Sequence, residues 1–88
     1  MTNTGQLDNQ TLLDHLDKEK QWFQTLLENQ QNWLKCARNL LYIKDSVFNQ
    51  VEYQKAAHAV KATLEDLQVT NDKIIAILRT QIEELRAR

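Results

Sequence analysis

The sequence predicts an all-α protein folded as a long, coiled-coil-like antiparallel hairpin of two helices. Three observations carry that prediction. The 88 residues include no Pro and one Gly, Gly5, so almost nothing forces a tight turn or breaks a helix. Gln, Asn, Leu, Lys, Glu and Ala dominate, and most of these are tolerated in helices. Apolar residues recur at steps of three and four along two long stretches with one short interruption between them. A chain of this length makes at most one domain, near the size at which a single core is only marginally stable.

Residues 1–8 are polar, contain the only Gly and are expected to form a flexible leader. They have neither the basic nor the apolar region of a signal peptide. The single helical domain, residues 9–88, then opens with Asn9 or Thr11 as a helix cap. In the first helix, about 9–45, apolar residues fall at Leu12/Leu13, Leu16, Phe23, Leu26/Leu27, Trp33/Leu34, Ala37 and Leu40/Leu41. Polar residues enter that stripe at Glu19/Lys20, Gln30 and Lys44, and Asp14 four residues ahead of Lys18 adds a small favourable pair. Around residues 46–50 the pattern slips. Asp45, Ser46 and Asn49 compete for backbone hydrogen bonds, and Asn49 with Glu52 has the spacing of an N-cap and its capping partner.

The second helix, about 51–87, carries Tyr53, Ala57, Val60, Leu64, Leu67, Asn71, Ile74, Leu78, Ile82 and Leu85, a heptad seam. A short connection makes the two helices antiparallel neighbours. An alternative starts a third helix at Asn71 or Asp72, which follow the β-branched pair Val69 and Thr70. The seam crosses Asn71 without a change of phase, which favours one continuous helix.

On a wheel of 100° per residue the second helix's stripe is about 100° wide, what one neighbour covers. The arc of the first helix, from Leu13 and Leu16 round to Trp22 and Leu40, is about 180° wide. One hairpin covers only part of that arc. The flank Trp22, Leu26, Trp33 and Leu40 is therefore the candidate partner-binding surface, because uncovered apolar patches mark interaction sites. Covering it is expected to complete a four-helix bundle, with a second copy in a homodimer or with a partner protein's helix. The alternative is that Trp22 and Trp33 pack internally. Asn71 and Gln30 are the polar residues within the apolar faces. Asn71 is read as a register-setting core residue, a helix cap or a seam edge reached by water, and Gln30 as a weak point in a broad face.

Charge and motifs exclude several classes. The formal net charge is −1, with acids and bases interspersed, and no basic patch suits nucleic acid. Arg79, Arg86 and Arg88 read as a solvated helix end. There is no run of about 18 apolar residues to enter a membrane, and the polar faces are not the Lys/Arg-rich ones of a membrane-surface helix. Lone Cys36 cannot form an internal disulfide and fits a reducing compartment, so a cytoplasmic location is expected. His15 and His58 sit on separate helices outside any metal-ligand motif. Glu83 and Glu84 are helix surface. No catalytic, cofactor-binding, metal or small-molecule site is expected, and the chain is not expected to be an enzyme.

Two segments carry a resemblance. Residues 71–85, NDKIIAILRTQIEEL, with Asn71 followed by the aliphatic pair Ile74 and Ile75, a second pair Ile77 and Leu78, and a closing Leu85, resemble the late helix of small flagellar export chaperones. Residues 49–54, NQVEYQ, where aromatic Tyr53 precedes Gln54, are similar to the start of the second helix in the hairpin chaperones of type III secretion needle subunits. The Asp-Pro common in the needle chaperones' turn is missing. The resemblance implies a non-enzymatic cytosolic protein that sheathes an aggregation-prone helix of an exported subunit. From the residues alone, the first reading is a binding protein using the helix-in-groove mode. The others are a structural homo-oligomeric assembly domain and a small regulator acting through protein contact, such as an antitoxin-like module.

Overall fold

The computed structural model describes residues 8–87. Residues 1–7, which hold nearly all of the expected leader, and Arg88 lie outside the described residues. Helix α1 spans Asn9–Ile43 and helix α2 spans Val47–Arg86, with no strand among the described residues. At the α-helical rise their 35 and 40 residues make rods of about 53 and 60 Å. Folded back on each other they form a slab of 64 × 24 × 14 Å, two helices wide and one deep. The radius of gyration is 19.6 Å, against about 12 Å for a compact domain of this length. The expected antiparallel hairpin is what the chain forms.

Asp8 occupies the N-cap position of α1 without a side-chain cap hydrogen bond, and Asn9 is already helical. The connection is only Lys44, Asp45 and Ser46, earlier and shorter than the expected residues 46–50. Ser46 Oγ accepts a hydrogen bond from the Asn49 amide at 3.2 Å, which starts α2 at Val47. Asn49 serves the other helix instead. Its Nδ2 donates to the carbonyls of Lys44 at 2.9 Å and Leu40 at 3.3 Å, a second bond for acceptors that already take the Ser46 and Lys44 amides, and so ties the start of α2 to the end of α1. Gln50 Nε2 adds a 2.6 Å bond to Asp45 Oδ1. Two polar side chains thus do what Gly and Pro do in most tight connections.

Helix α2 passes through residues 69–72 without interruption, so there is no third helix. Thr70 shows why a β-branched residue is accommodated there. Its hydroxyl lies 2.8 Å from Glu19 Oε1 on α1 and 3.2 Å from the Asp66 carbonyl one turn back. The carboxylate is the stronger acceptor for its single proton. This hydrogen bond also sets the register between the helices far from the connection.

The seam differs from the expected one. Residues turned toward α1 are Tyr53, Ala56, Val60, Thr63, Leu67, Thr70, Ile74 and Ile77, of which Ala56, Thr63 and Thr70 are buried. Leu64, Leu78, Ile82 and Leu85, expected in the seam, are exposed instead. On α1 the inward positions are Leu13, Leu16, Lys20, Phe23, Leu27, Gln30, Leu34, Ala37 and Leu41. The Glu19–Thr70 register sets Leu34 level with Ala56, Leu27 level with Thr63, and Ala37 level with Tyr53. Large therefore meets small at these three layers, which lets the helix axes approach closely there. Two rows of leucines facing each other would hold them apart.

Because Ala56 has no exposed surface, Ala56→Leu is expected to overpack the seam and cost about 1–3 kcal/mol. The exposed Ala62→Leu should leave stability within about 0.5 kcal/mol. Thermal unfolding followed by circular dichroism checks both. In the same assay Ser46→Ala should cost about 1 kcal/mol through loss of the cap.

Candidate functional site

Two helices side by side bury little. Among the described residues only Leu16, Ala37 and Ala56 are buried apolar side chains, whereas large hydrophobic residues stand exposed along both helices. Exposed apolar surface along both helices is therefore the candidate site.

The predicted flank lies along one side of α1. Trp22 is 62% exposed and Trp33 40%, so neither packs internally in the hairpin. Leu40 is exposed as well, and Leu26 is half-buried between the seam and the flank. From Trp22 to Leu40 the flank extends about 27 Å along the helix. The Trp22 ring meets Phe23 edge-on, with centroids 5.1 Å apart and planes inclined at 62°. That contact restrains an indole that otherwise faces water.

Near the connection the flank crosses from one helix to the other. A depression of about 150 Å³ is lined by Trp33, Cys36, Ala37 and Leu40 of α1 and by Phe48, Asn49 and Glu52 of α2. Phe48, 72% exposed, is a member of this surface that the sequence reading placed in a turn and so missed. Its helical phase becomes readable only once Ser46 is known to begin α2. The result is an apolar patch with aromatic side chains on both helices, wide enough for a third helix to lie against. Trp22 and Leu26 continue it along α1, away from the depression.

Asn71 is half-buried inside continuous helix, which removes its reading as a cap. Gln30 faces the seam, and its Oε1 is buried with no hydrogen-bond partner among the described residues. An unpaired buried carbonyl costs about 1–3 kcal/mol.

The opposite flank is of different character. At the connection a wider, open groove of about 620 Å³ is lined by Arg38, Leu41, Tyr42, Asp45, Gln50 and Tyr53. Farther along, α2 presents Leu64, Ile75, Leu78, Ile82 and Leu85 to solvent, while α1 presents Gln10, Asp17, Gln24 and Gln31. His15, His58 and the free thiol of Cys36 are exposed. Among the described residues no group of three or more His, Cys, Asp or Glu could hold a metal ion. None of the described helices is long and apolar enough to cross a membrane.

Gln30→Met keeps the shape of the side chain and removes the orphaned carbonyl. It is expected to raise stability by about 1 kcal/mol, visible as a higher urea midpoint with an unchanged slope. No protein-family model, curated protein or solved structure matches this chain.

Proposed function

We propose that the chain is a non-enzymatic cytosolic binding protein that receives an amphipathic helix of another protein on the flank formed by Trp22, Leu26, Trp33, Leu40 and Phe48. The observation that supports this reading is the exposure of both tryptophans on the one side of the hairpin where apolar residues of the two helices adjoin. Tryptophan in a central, desolvated position is a frequent source of binding energy. A third helix laid along the flank would bury Trp33 between its own side chains and Phe48, and would build toward the bundle that two helices leave incomplete. The resemblance of residues 49–54 and 71–85 to export chaperones suggests the kind of client. It is a helix of a secreted needle or flagellar subunit, held in its monomeric form before assembly. A regulator that masks a helix of its target would use the same surface, and the export-chaperone resemblance favours the first of these.

Trp22 and Trp33 are the only tryptophans, so the site reports on itself. Peptides of the amphipathic helices of needle and flagellar subunits are expected to shift the emission of the chain to shorter wavelength on titration. Trp33→Ala should weaken that binding about tenfold or more while leaving the helicity of the free hairpin unchanged. Equal loss of binding and helicity would mean that Trp33 supports the fold, and no spectral response to any such peptide would remove the export-subunit reading.

A further inference from the structure

Beside the seam that meets α1, α2 carries a second one. Leu64, Gln68, Asn71, Ile75, Leu78, Ile82 and Leu85 follow one another at alternating steps of four and three. Its five aliphatic members are between 43% and 68% exposed. A helix surface with this repeat packs against another helix. Helix α1 is already engaged by the inner seam, and its neighbouring edge is polar, so the second seam has no occupant within the hairpin.

The charges along its outer border say what fits. Glu65, Asp72, Arg79 and Arg86 stand at intervals of seven and are all exposed. The order is acid, acid, base, base, and the sign reverses beside Ile75. A second copy laid antiparallel, Ile75 against Ile75, brings Glu65 to the second copy's Arg86 and Asp72 to the second copy's Arg79. The two-fold axis repeats both pairs. The apolar layers agree with this register, since Leu64 falls level with Leu85 of the second copy and Gln68 with Ile82 of the second copy. A parallel pairing would set Asp72 against Asp72 and Arg79 against Arg79, opposing like charges at every step. The border of the Trp flank has no such pattern. There Thr11, Lys18, Thr25, Asn32 and Asn39 bring a single charge.

We infer that the chain forms an isologous antiparallel dimer through the outer seam of α2, with its two-fold axis at Ile75. Both Trp flanks face away from this interface and stay open to a different protein. Asn71 lies level with Leu78 of the second copy. It keeps its amide at the boundary between the inner and outer seams, where water reaches it.

Sedimentation equilibrium of the full 88-residue chain over a wide concentration range, with circular dichroism alongside, tests the inference. The natural chain should follow a monomer–dimer equilibrium. Asp72→Arg should weaken the dimer about tenfold, because the symmetric interface loses two ion pairs and gains two repulsions. Asp72→Arg combined with Arg79→Asp should restore it. Ile75→Glu should give a helical monomer, and Trp33→Ala should leave the dimer constant unchanged. A natural chain that stays monomeric, or assembles beyond a dimer, overturns the inference. So does a dimer that survives Ile75→Glu, or one that Asp72→Arg alone and the double exchange affect alike.

Discussion

The rest of this structure depends on one packing constraint: the helix axes can approach only where α2 presents small side chains. Ala56, Thr63 and Thr70 recur every seven residues and are the buried positions of α2 among the described residues. Opposite Ala56 and Thr63 α1 supplies Leu34 and Leu27, opposite Thr70 it supplies Lys20 and the Glu19 carboxylate, and where α2 is large, at Tyr53, α1 is small, at Ala37. Matching volumes in this way fills the seam without forcing side chains off their preferred rotamers. It also determines which residues cannot take part. Once the small face of α2 is turned inward, Leu64, Leu78, Ile82 and Leu85 must lie outside.

The exposed apolar surface is thus divided between two sides of the slab. One side combines aromatic residues from α1 with Phe48 of α2 and bears little charge along its α1 border, with Glu52 on the α2 side. The other is aliphatic, belongs to α2 alone and has charges whose sign reverses midway. Aromatic side chains give large contact area with few rotatable bonds, which suits recognition of a foreign helix. Ordered charges flanking aliphatic residues suit register and orientation. The two surfaces differ in chemistry and lie on opposite sides of the slab, so covering one leaves the other open.

The hairpin itself was legible in the sequence, because helical periodicity persists through both halves and only the segment near Ser46 disturbs it. The flank of Trp22, Leu26, Trp33 and Leu40 was legible too, since three full turns separate the tryptophans. The inner seam was only half legible. Tyr53, Val60, Leu67 and Ile74 belong to the expected and the observed seams alike, but between them Ala57 stands beside Ala56, Leu64 beside Thr63, Asn71 beside Thr70 and Leu78 beside Ile77, and hydrophobicity does not single out the inward member of these pairs. Reading one helix at a time therefore selects the wrong neighbour at every second step. Volume matching is a property of two helices together, and periodicity in one of them does not contain it. Phe48 was missed for a local reason, a choice between Ser46 and Asn49 as the cap.

The three-residue connection has a kinetic meaning as well. Contacts nearest Ser46 close short loops, whereas Leu16 must find Ile74 across about two thirds of the chain, at a greater entropic cost. Loop-closure entropy alone favours a zipper that closes from residues 44–46 outward and opens from the far end. Trp33, Leu40 and Phe48 therefore stand on the part that closes first. Ile82 and Leu85 stand on the part that opens first, where a second copy would act as a clasp and slow the unzipping of both chains.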